Sequence, residues 1–165
     1  MTKTLIKINK FWTLAGGGLL LLIAFLIKNT FPSPYILLHQ TESLMVLPPL
    51  WILGIWWMAG YFLVGCVAGQ IFSLKALSPT ADIKRYQGGM CMILAVVCSF
   101  LWYALLFGTE AFLFSWLMCG MAFAFLCLCL KAWICVPHGC AWWLLPVTIS
   151  SLLLFVLQFM VMLHI

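Results

Sequence analysis

Aromatic side chains recur at helical spacing in the apolar segment 50–72. Trp57 and Tyr61 lie four residues apart there, and Leu53 and Gly65 continue the line in both directions, so all four share one face of a helix. A flat ligand can stack on such rings, and each stack contributes about 0.5–1.5 kcal/mol beyond the buried area. The same line also suits plain packing between helices. The pattern therefore predicts either a slot for a flat apolar ligand or a tightly packed core.

A second line of this kind lies in the apolar segment 88–107. Its members recur at three- and four-residue steps and are Ala95, Ser99, Trp102 and Leu106. We expect this line to face the interior of the protein. Other tryptophans are expected at the membrane surface, where indole rings are common. These are Trp12, Trp133, Trp142 and Trp143.

Cys135, His138 and Cys140 form a short cluster of metal-ligating side chains. Structural zinc uses four ligands, commonly with paired spacings, and the redox motif Cys-x-x-Cys is not present in this loop. The remaining cysteines fall in apolar stretches, where the thiol behaves as a small apolar group. We therefore predict no metal site and no disulfide framework. A membrane thiol oxidoreductase remains an alternative that depends on Cys135 and Cys140.

The carboxylates Glu42, Asp82 and Glu110 all lie outside the apolar stretches. Ion and proton pathways across membranes normally use carboxylates within the spans, so an ion-coupled pump is disfavoured. No set of catalytic residues is visible, and no cofactor is required. His39 has two interpretations, an axial ligand of a haem or an ordinary polar residue of a loop.

The elements that would position these residues are membrane spans. The chain has 165 residues, 67% of them hydrophobic, with only 8 basic and 3 acidic side chains, whereas soluble domains carry roughly a quarter charged residues. Crossing the hydrocarbon takes about 20 apolar residues. Five uncharged stretches reach this length. We therefore predict an all-α integral membrane protein, a single bundle of five transmembrane helices that forms one domain over 1–165. The expected helices are about 11–27, 48–72, 88–107, 112–130 and 140–163.

Basic residues are distributed unevenly between the two ends of these helices. One end holds Lys3, Lys7, Lys10, Lys75, Lys84, Arg85 and Lys131. The other end holds only Lys28. This bias predicts a cytoplasmic N-terminus and an external C-terminus, in a bacterial-type cytoplasmic membrane. The first stretch lacks a small-x-small cleavage pattern, which favours an uncleaved helix over a signal peptide. The net charge of +5 follows from the same bias and predicts no nucleic-acid partner.

The segment 28–47 is the longest predicted loop. Pro32 and Pro34 within it exclude regular helix. A loop of this length either covers a cavity as a lid or serves as a passive connector.

The order of residues in the second helix resembles a family signature. The tryptophan-rich sensory protein / translocator protein family, also called peripheral benzodiazepine receptors, has the pattern Pro-Pro-x-Trp-x-Phe-Gly-Pro-x-Trp-x-x-x-Tyr-x-x-x-Gly. The matching residues are Pro48, Pro49, Trp51, Gly54, Trp57, Tyr61 and Gly65. Leu53 and Ile55 stand where the family has phenylalanine and its third proline.

The third and fifth helices are similar to the family's patterns in part. Trp102, Phe107 and Gly108 fit the third-helix pattern, with Ser99 in place of an asparagine. In the fifth helix Leu144, Leu145 and Pro146 match, whereas Val147, Ser150 and Gln158 replace a tyrosine, a tryptophan and an asparagine. The chain therefore resembles a divergent member over essentially its whole length.

The resemblance implies a five-helix bundle, often a homodimer, with a cavity that the first loop closes. It implies tetrapyrrole ligands such as protoporphyrin IX and haem, and also sterols or synthetic aromatic molecules. The ligand-binding positions that it implies are Tyr35, Pro48, Trp51, Leu53, Trp57, Tyr61, Ser99, Trp102, Tyr103, Cys119, Ser150, Leu154 and Leu157.

Some members of this family degrade protoporphyrin with light and oxygen, a chemistry linked to tryptophans that face the cavity. One of those tryptophans corresponds to Ser150, so the resemblance implies binding with weak photochemical turnover. Equal rates of porphyrin bleaching by the natural protein and a Ser150→Trp variant would contradict this expectation.

The sequence therefore predicts a membrane receptor, sensor or carrier for tetrapyrroles or similar flat lipophilic ligands, with the lipid bilayer around it. Two alternatives stay open. One is the thiol oxidoreductase, and the other is a small structural or assembly subunit whose aromatic residues only pack.

Overall fold

The computed structural model describes residues 10–30, 50–74, 78–109, 111–136 and 140–164. These ranges form five α-helices, with a 3-10 turn over Cys140–Leu144 and no strand within them. The helices are α1 (Lys10–Thr30), α2 (Leu50–Phe72), α3 (Pro79–Gly108), α4 (Phe112–Ile134) and α5 (Leu145–His164). All five are long and apolar enough to cross a membrane, which confirms the helical class and the number of candidate spans. Most of the segment 28–47, which was interpreted as either a lid or a passive connector, lies outside the described residues, including Tyr35 and His39.

Helix α3 begins at Pro79 instead of the predicted residue 88. The Ser78 hydroxyl accepts a hydrogen bond from the Ala81 backbone N–H at 3.3 Å, which caps the helix. Proline favours the first helical position, and Asp82 in the first turn complements the helix dipole. The polar residues between 78 and 87 suggested a loop. They instead form the first turns of α3, ahead of its most apolar part.

Helix α5 is preceded by a change of helix type. The chain forms a 3-10 turn to Leu144 and becomes α-helical at Leu145. Pro146 lies in the first α-helical turn. A proline is tolerated there because the backbone N–H that it lacks would have no partner within the helix.

Glycines bring the backbones of α1 and α2 into direct contact. A Cβ atom added at Gly16 would overlap the Gly65 carbonyl, and one added at Gly69 would overlap the Trp12 carbonyl. Gly17 packs under Phe62 and Cys66 in the same way. Small residues permit this close approach between membrane helices. Gly16 and Gly17 of the first helix therefore serve close packing against α2.

Helices α3 and α4 form the second closely packed pair. The face of α4 that is buried consists mostly of small side chains, and its members are Ser115, Cys119, Ala122, Leu126 and Cys129. Trp133 continues this face and lies over Gly88 of α3, where a Cβ atom would overlap the indole. Its side chain is 1% exposed. The expectation that Trp133 lies at the membrane surface is therefore wrong, whereas Trp12, Trp142 and Trp143 are exposed.

Helix α5 joins the two pairs. It packs against α4, and the 3-10 turn before it packs against both α2 and α4. Neighbouring helices thus follow the order α1, α2, α5, α4 and α3. Helices α2 and α3 have few close backbone approaches, so they meet mainly through side chains.

Arg85 holds the linked ends of α2 and α3 together. Its Nη1 donates to the Leu74 carbonyl at 3.0 Å, and its Nη2 forms an ion pair with Asp82. The guanidinium lies over the rings of Tyr86 and Phe72, 5.0 Å and 5.9 Å from their centroids. This end of the contact between α2 and α3 is therefore fixed by polar and aromatic contacts together.

Candidate ligand-binding site

Four aromatic rings fill the space between α2 and α3. Tyr61 of α2 stacks on Phe100 of α3, with ring centroids 5.0 Å apart and planes 10° apart. Trp57 stacks on Tyr103 at 5.2 Å and 26°. Within α2, Trp57 and Tyr61 meet edge to face at 4.7 Å. We call these four residues the ring cluster. Each of the two stacks contains one ring from each helix.

The ring cluster contains two buried polar atoms that lack hydrogen-bond partners among the described residues. They are the indole Nε1 of Trp57 and the hydroxyl of Tyr61. The Tyr61 side chain is 6% exposed, so water does not replace the missing partner at its surface. Ser99 of α3 interacts with this hydroxyl, but not in hydrogen-bonding geometry. Leaving such a donor unpaired in an apolar interior costs about 1–3 kcal/mol.

Trp102 takes part in a different set of contacts. Its Nε1 donates to the Gln158 side-chain oxygen of α5 at 2.7 Å. The Gln158 amide nitrogen donates to the Ser115 hydroxyl of α4 and to the Phe112 carbonyl, the latter at 3.3 Å. The indole also meets Tyr103 of the ring cluster edge to face, with ring centroids 6.5 Å apart. Gln158 thus links α3, α4 and α5, and Trp102 belongs to this junction.

The other predicted ligand-binding residues are distributed over the bundle. Cys119 is buried on α4. Ser150, Leu154 and Leu157 are half-buried on α5, and the Ser150 hydroxyl donates to the Val147 carbonyl at 2.8 Å. The structure therefore brings Trp57, Tyr61 and Tyr103 together, with Ser99 beside them.

Four predicted positions near the start of α2 and before it remain predictions. Trp51 and Leu53 lie in the first turns of α2, where the structure describes the backbone alone. Tyr35 and Pro48 lie outside the described residues.

Phe100 is the member of the ring cluster that the sequence analysis missed. The predicted inward line on α3 ran through Ala95, Ser99 and Trp102. The contact with α2 is broader than this line, because Phe100 and Tyr103 meet α2 in addition to Ser99, while Ala95 is buried in the bundle. The spacing of Phe100 and Tyr103 by three residues was a usable signal, since residues three apart share a helix face.

A separate aromatic stack joins α4 to α5. Trp116 of α4 stacks on Phe155 of α5 at 4.9 Å and 16°, and Phe159 lies 5.6 Å from the same indole. Phe155 also covers Gly120, where a Cβ atom would collide with the ring. This stack resembles those of the ring cluster in geometry, and the Trp116 Nε1 is also buried without a hydrogen-bond partner among the described residues, but the stack lies between two other helices.

The cysteine cluster has a single accessible thiol in the described structure. Cys135 is exposed, Cys140 is buried, and all eight cysteines are free. His138 lies outside the described residues. Within the part of the chain that is described, no three side chains of metal-ligating type come together.

Comparison of the chain with models of protein families, with curated proteins and with solved structures found no match.

Proposed function

We propose that this chain is a membrane receptor or carrier that binds tetrapyrroles, or similar flat aromatic molecules, at the ring cluster between α2 and α3. The observation that carries the proposal is the pairing of stacked rings with two buried donors, Trp57 Nε1 and Tyr61 Oη, which have no hydrogen-bond partner among the described residues. Ligand sites are typically apolar with a few polar groups that fix the orientation. A packed core, by contrast, rarely leaves buried donors unpaired.

The chemistry of protoporphyrin IX fits both features. Its macrocycle is flat and apolar, so it can stack on indole and phenol rings. Its carboxylates can accept hydrogen bonds from donors that are otherwise unsatisfied, which recovers the free energy that those donors lose on burial. A haem or another flat molecule with acceptor groups would fit in the same way.

The family resemblance extends the proposal beyond the binding site. We place the chain in the tryptophan-rich sensory protein / translocator protein family, in a bacterial-type cytoplasmic membrane with the N-terminus inside. The same resemblance implies a homodimer. The molecular mass of the purified protein in detergent, corrected for bound detergent, tests that assembly.

Titration with protoporphyrin IX tests the binding function. We expect saturable binding to the purified protein, followed through the porphyrin absorbance so that loss of one tryptophan does not change the signal. The Trp57→Ala variant removes a ring and a donor, and it should lower the affinity by about tenfold or more.

Trp56→Ala is the matched control, because Trp56 directly precedes Trp57 in α2 and is 56% exposed. This variant should bind like the natural protein. Binding that is unsaturable, or that both substitutions weaken equally, would contradict a site at the ring cluster and would favour a protein whose aromatic residues only pack.

A further inference from the structure

We infer that Phe100 determines ligand access, because its ring occupies the face of Tyr61 on which a flat ligand would stack. The inference rests on the proposed function and adds to it a competition between a side chain and the ligand. Phe100 supplies no polar atom to the site, whereas its partners Trp57 and Tyr61 carry the unpartnered donors. A ligand can therefore displace the Phe100 ring and still accept hydrogen bonds from Trp57 and Tyr61.

The spacing of the stacked rings shows that the slot is closed. Carbon atoms in contact lie about 3.5–4.0 Å apart, so a planar molecule between two rings needs those rings about 7–8 Å apart. The centroids of Tyr61 and Phe100 are 5.0 Å apart, and those of Trp57 and Tyr103 are 5.2 Å apart. A ligand therefore enters only when one ring turns away or when α2 and α3 separate.

The contact between α2 and α3 is the part of the bundle best suited to separate. Gly16 and Gly65 hold α1 to α2 through backbone contact, and small buried side chains hold α3 to α4. Helices α2 and α3 lack such backbone contact over most of their length. Arg85 fixes one end of this contact, so α2 and α3 would part at the ring cluster and stay joined at Arg85.

The ring cluster is accessible from the side of the bundle. Trp57, Phe100 and Tyr103 are each only partly buried, whereas Tyr61 lies behind them. In a bilayer this side faces lipid, where a lipophilic porphyrin partitions. We therefore assign the route of entry to the contact between α2 and α3.

This arrangement has a kinetic signature. When only a fraction of the protein is open, the apparent dissociation constant equals the intrinsic constant divided by that fraction. Removing the competing ring raises the open fraction. The association rate then increases, and the dissociation rate of bound ligand stays the same.

Stopped-flow binding of protoporphyrin IX to the full chain in nanodiscs tests the inference. For Phe100→Ala we expect binding about threefold to tenfold tighter than for the natural protein, which corresponds to the loss of one ring stack. The gain should appear in the association rate. Phe100→Leu keeps an apolar side chain of similar volume without a ring. It should bind with an affinity between those of the natural protein and Phe100→Ala. This variant provides the test if the alanine variant does not fold.

Phe155→Ala is the matched control, because it removes an equivalent stack between α4 and α5. It should leave both rate constants unchanged. If the natural protein binds saturably and neither Phe100 variant associates faster, the inference is overturned while the proposed function stands. An equal increase in the association rate for Phe155→Ala would also overturn the inference, since a general weakening of helix packing would then explain the faster binding. If no variant binds, both the inference and the proposed function fail.

Discussion

The Tyr61 hydroxyl is a buried polar atom beside the Ser99 side chain, which interacts with it but does not lie in hydrogen-bonding geometry. If Tyr61 served packing alone, its hydroxyl would lower the stability of the fold, because a phenylalanine fills the same space without an unpaired donor. Removing the Tyr61 hydroxyl therefore distinguishes a packing role from a ligand-binding role, because the two roles predict different effects on stability and affinity.

The Tyr61→Phe variant should bind protoporphyrin IX about fivefold more weakly, because it loses one hydrogen bond to an acceptor. Its own unfolding free energy should stay equal or rise, because no unsatisfied donor remains. Porphyrin titration and unfolding in denaturing detergent measure the two effects.

A porphyrin without carboxylates provides the control for Tyr61→Phe. Octaethylporphyrin offers the same flat ring, so the natural protein and the variant should bind it equally. A variant that is less stable and binds both porphyrins less tightly would assign the hydroxyl to folding instead.

At the scale of single residues the sequence predicted part of the site. Trp57 and Tyr61 followed from their spacing, because each side chain meets the same neighbouring helix. Phe100 and the role of Gln158 did not follow, because they depend on which helices are neighbours. Gln158 was noted only as the residue that replaces an asparagine of the family pattern, and its three partners lie on α3 and α4.

Helix α2 uses one sequence pattern for two contacts. The predicted line through Trp57, Tyr61 and Gly65 advances four residues at a time, and each step turns about 40° around a helix with 3.6 residues per turn. The aromatic part therefore faces α3, while Gly65 and Gly69 face α1. The sequence revealed the line but not this division.

The Gly65→Ala substitution should destabilise the protein by about 1–3 kcal/mol. The added Cβ atom would overlap the backbone of Gly16 and Gly17, and backbone atoms of a packed helix cannot rotate away as a side chain does. Unfolding by a denaturing detergent, followed by circular dichroism, gives the free energy.

Gly18→Ala is the matched control, since no atom lies within 4 Å of a Cβ atom built there. It should be neutral or slightly stabilising, because alanine has the higher helix propensity. Equal losses for the two variants would show that helix propensity, and not the contact between α1 and α2, governs the effect.

The number of long apolar helices within the described residues was predictable, but their arrangement was not. Long uncharged stretches predicted all five candidate spans, because crossing the hydrocarbon requires a minimum apolar length. These helices are apolar on nearly every face, so amphipathicity does not indicate which face meets which neighbour. The neighbour order depends instead on small residues and rings at particular positions.

The orientation in the membrane remains a prediction, and Cys135 provides its test. This cysteine is exposed at the end of α4, whereas Cys140 beyond it is buried. We expect a membrane-impermeant maleimide to label Cys135 in inverted vesicles and not in right-side-out vesicles. Cys135→Ser should abolish the labelling, and labelling from the opposite side would reverse the assignment based on basic residues.

The two close helix pairs are each formed by consecutive segments of the chain, α1 with α2 and α3 with α4. Synthesis proceeds from the N-terminus, so each pair can assemble as a hairpin as soon as its second helix leaves the ribosome. Helix α5 emerges last, and it is the one that joins both hairpins. A ribosome-bound chain that stops before Cys140 should therefore contain two formed hairpins whose mutual position is not yet fixed.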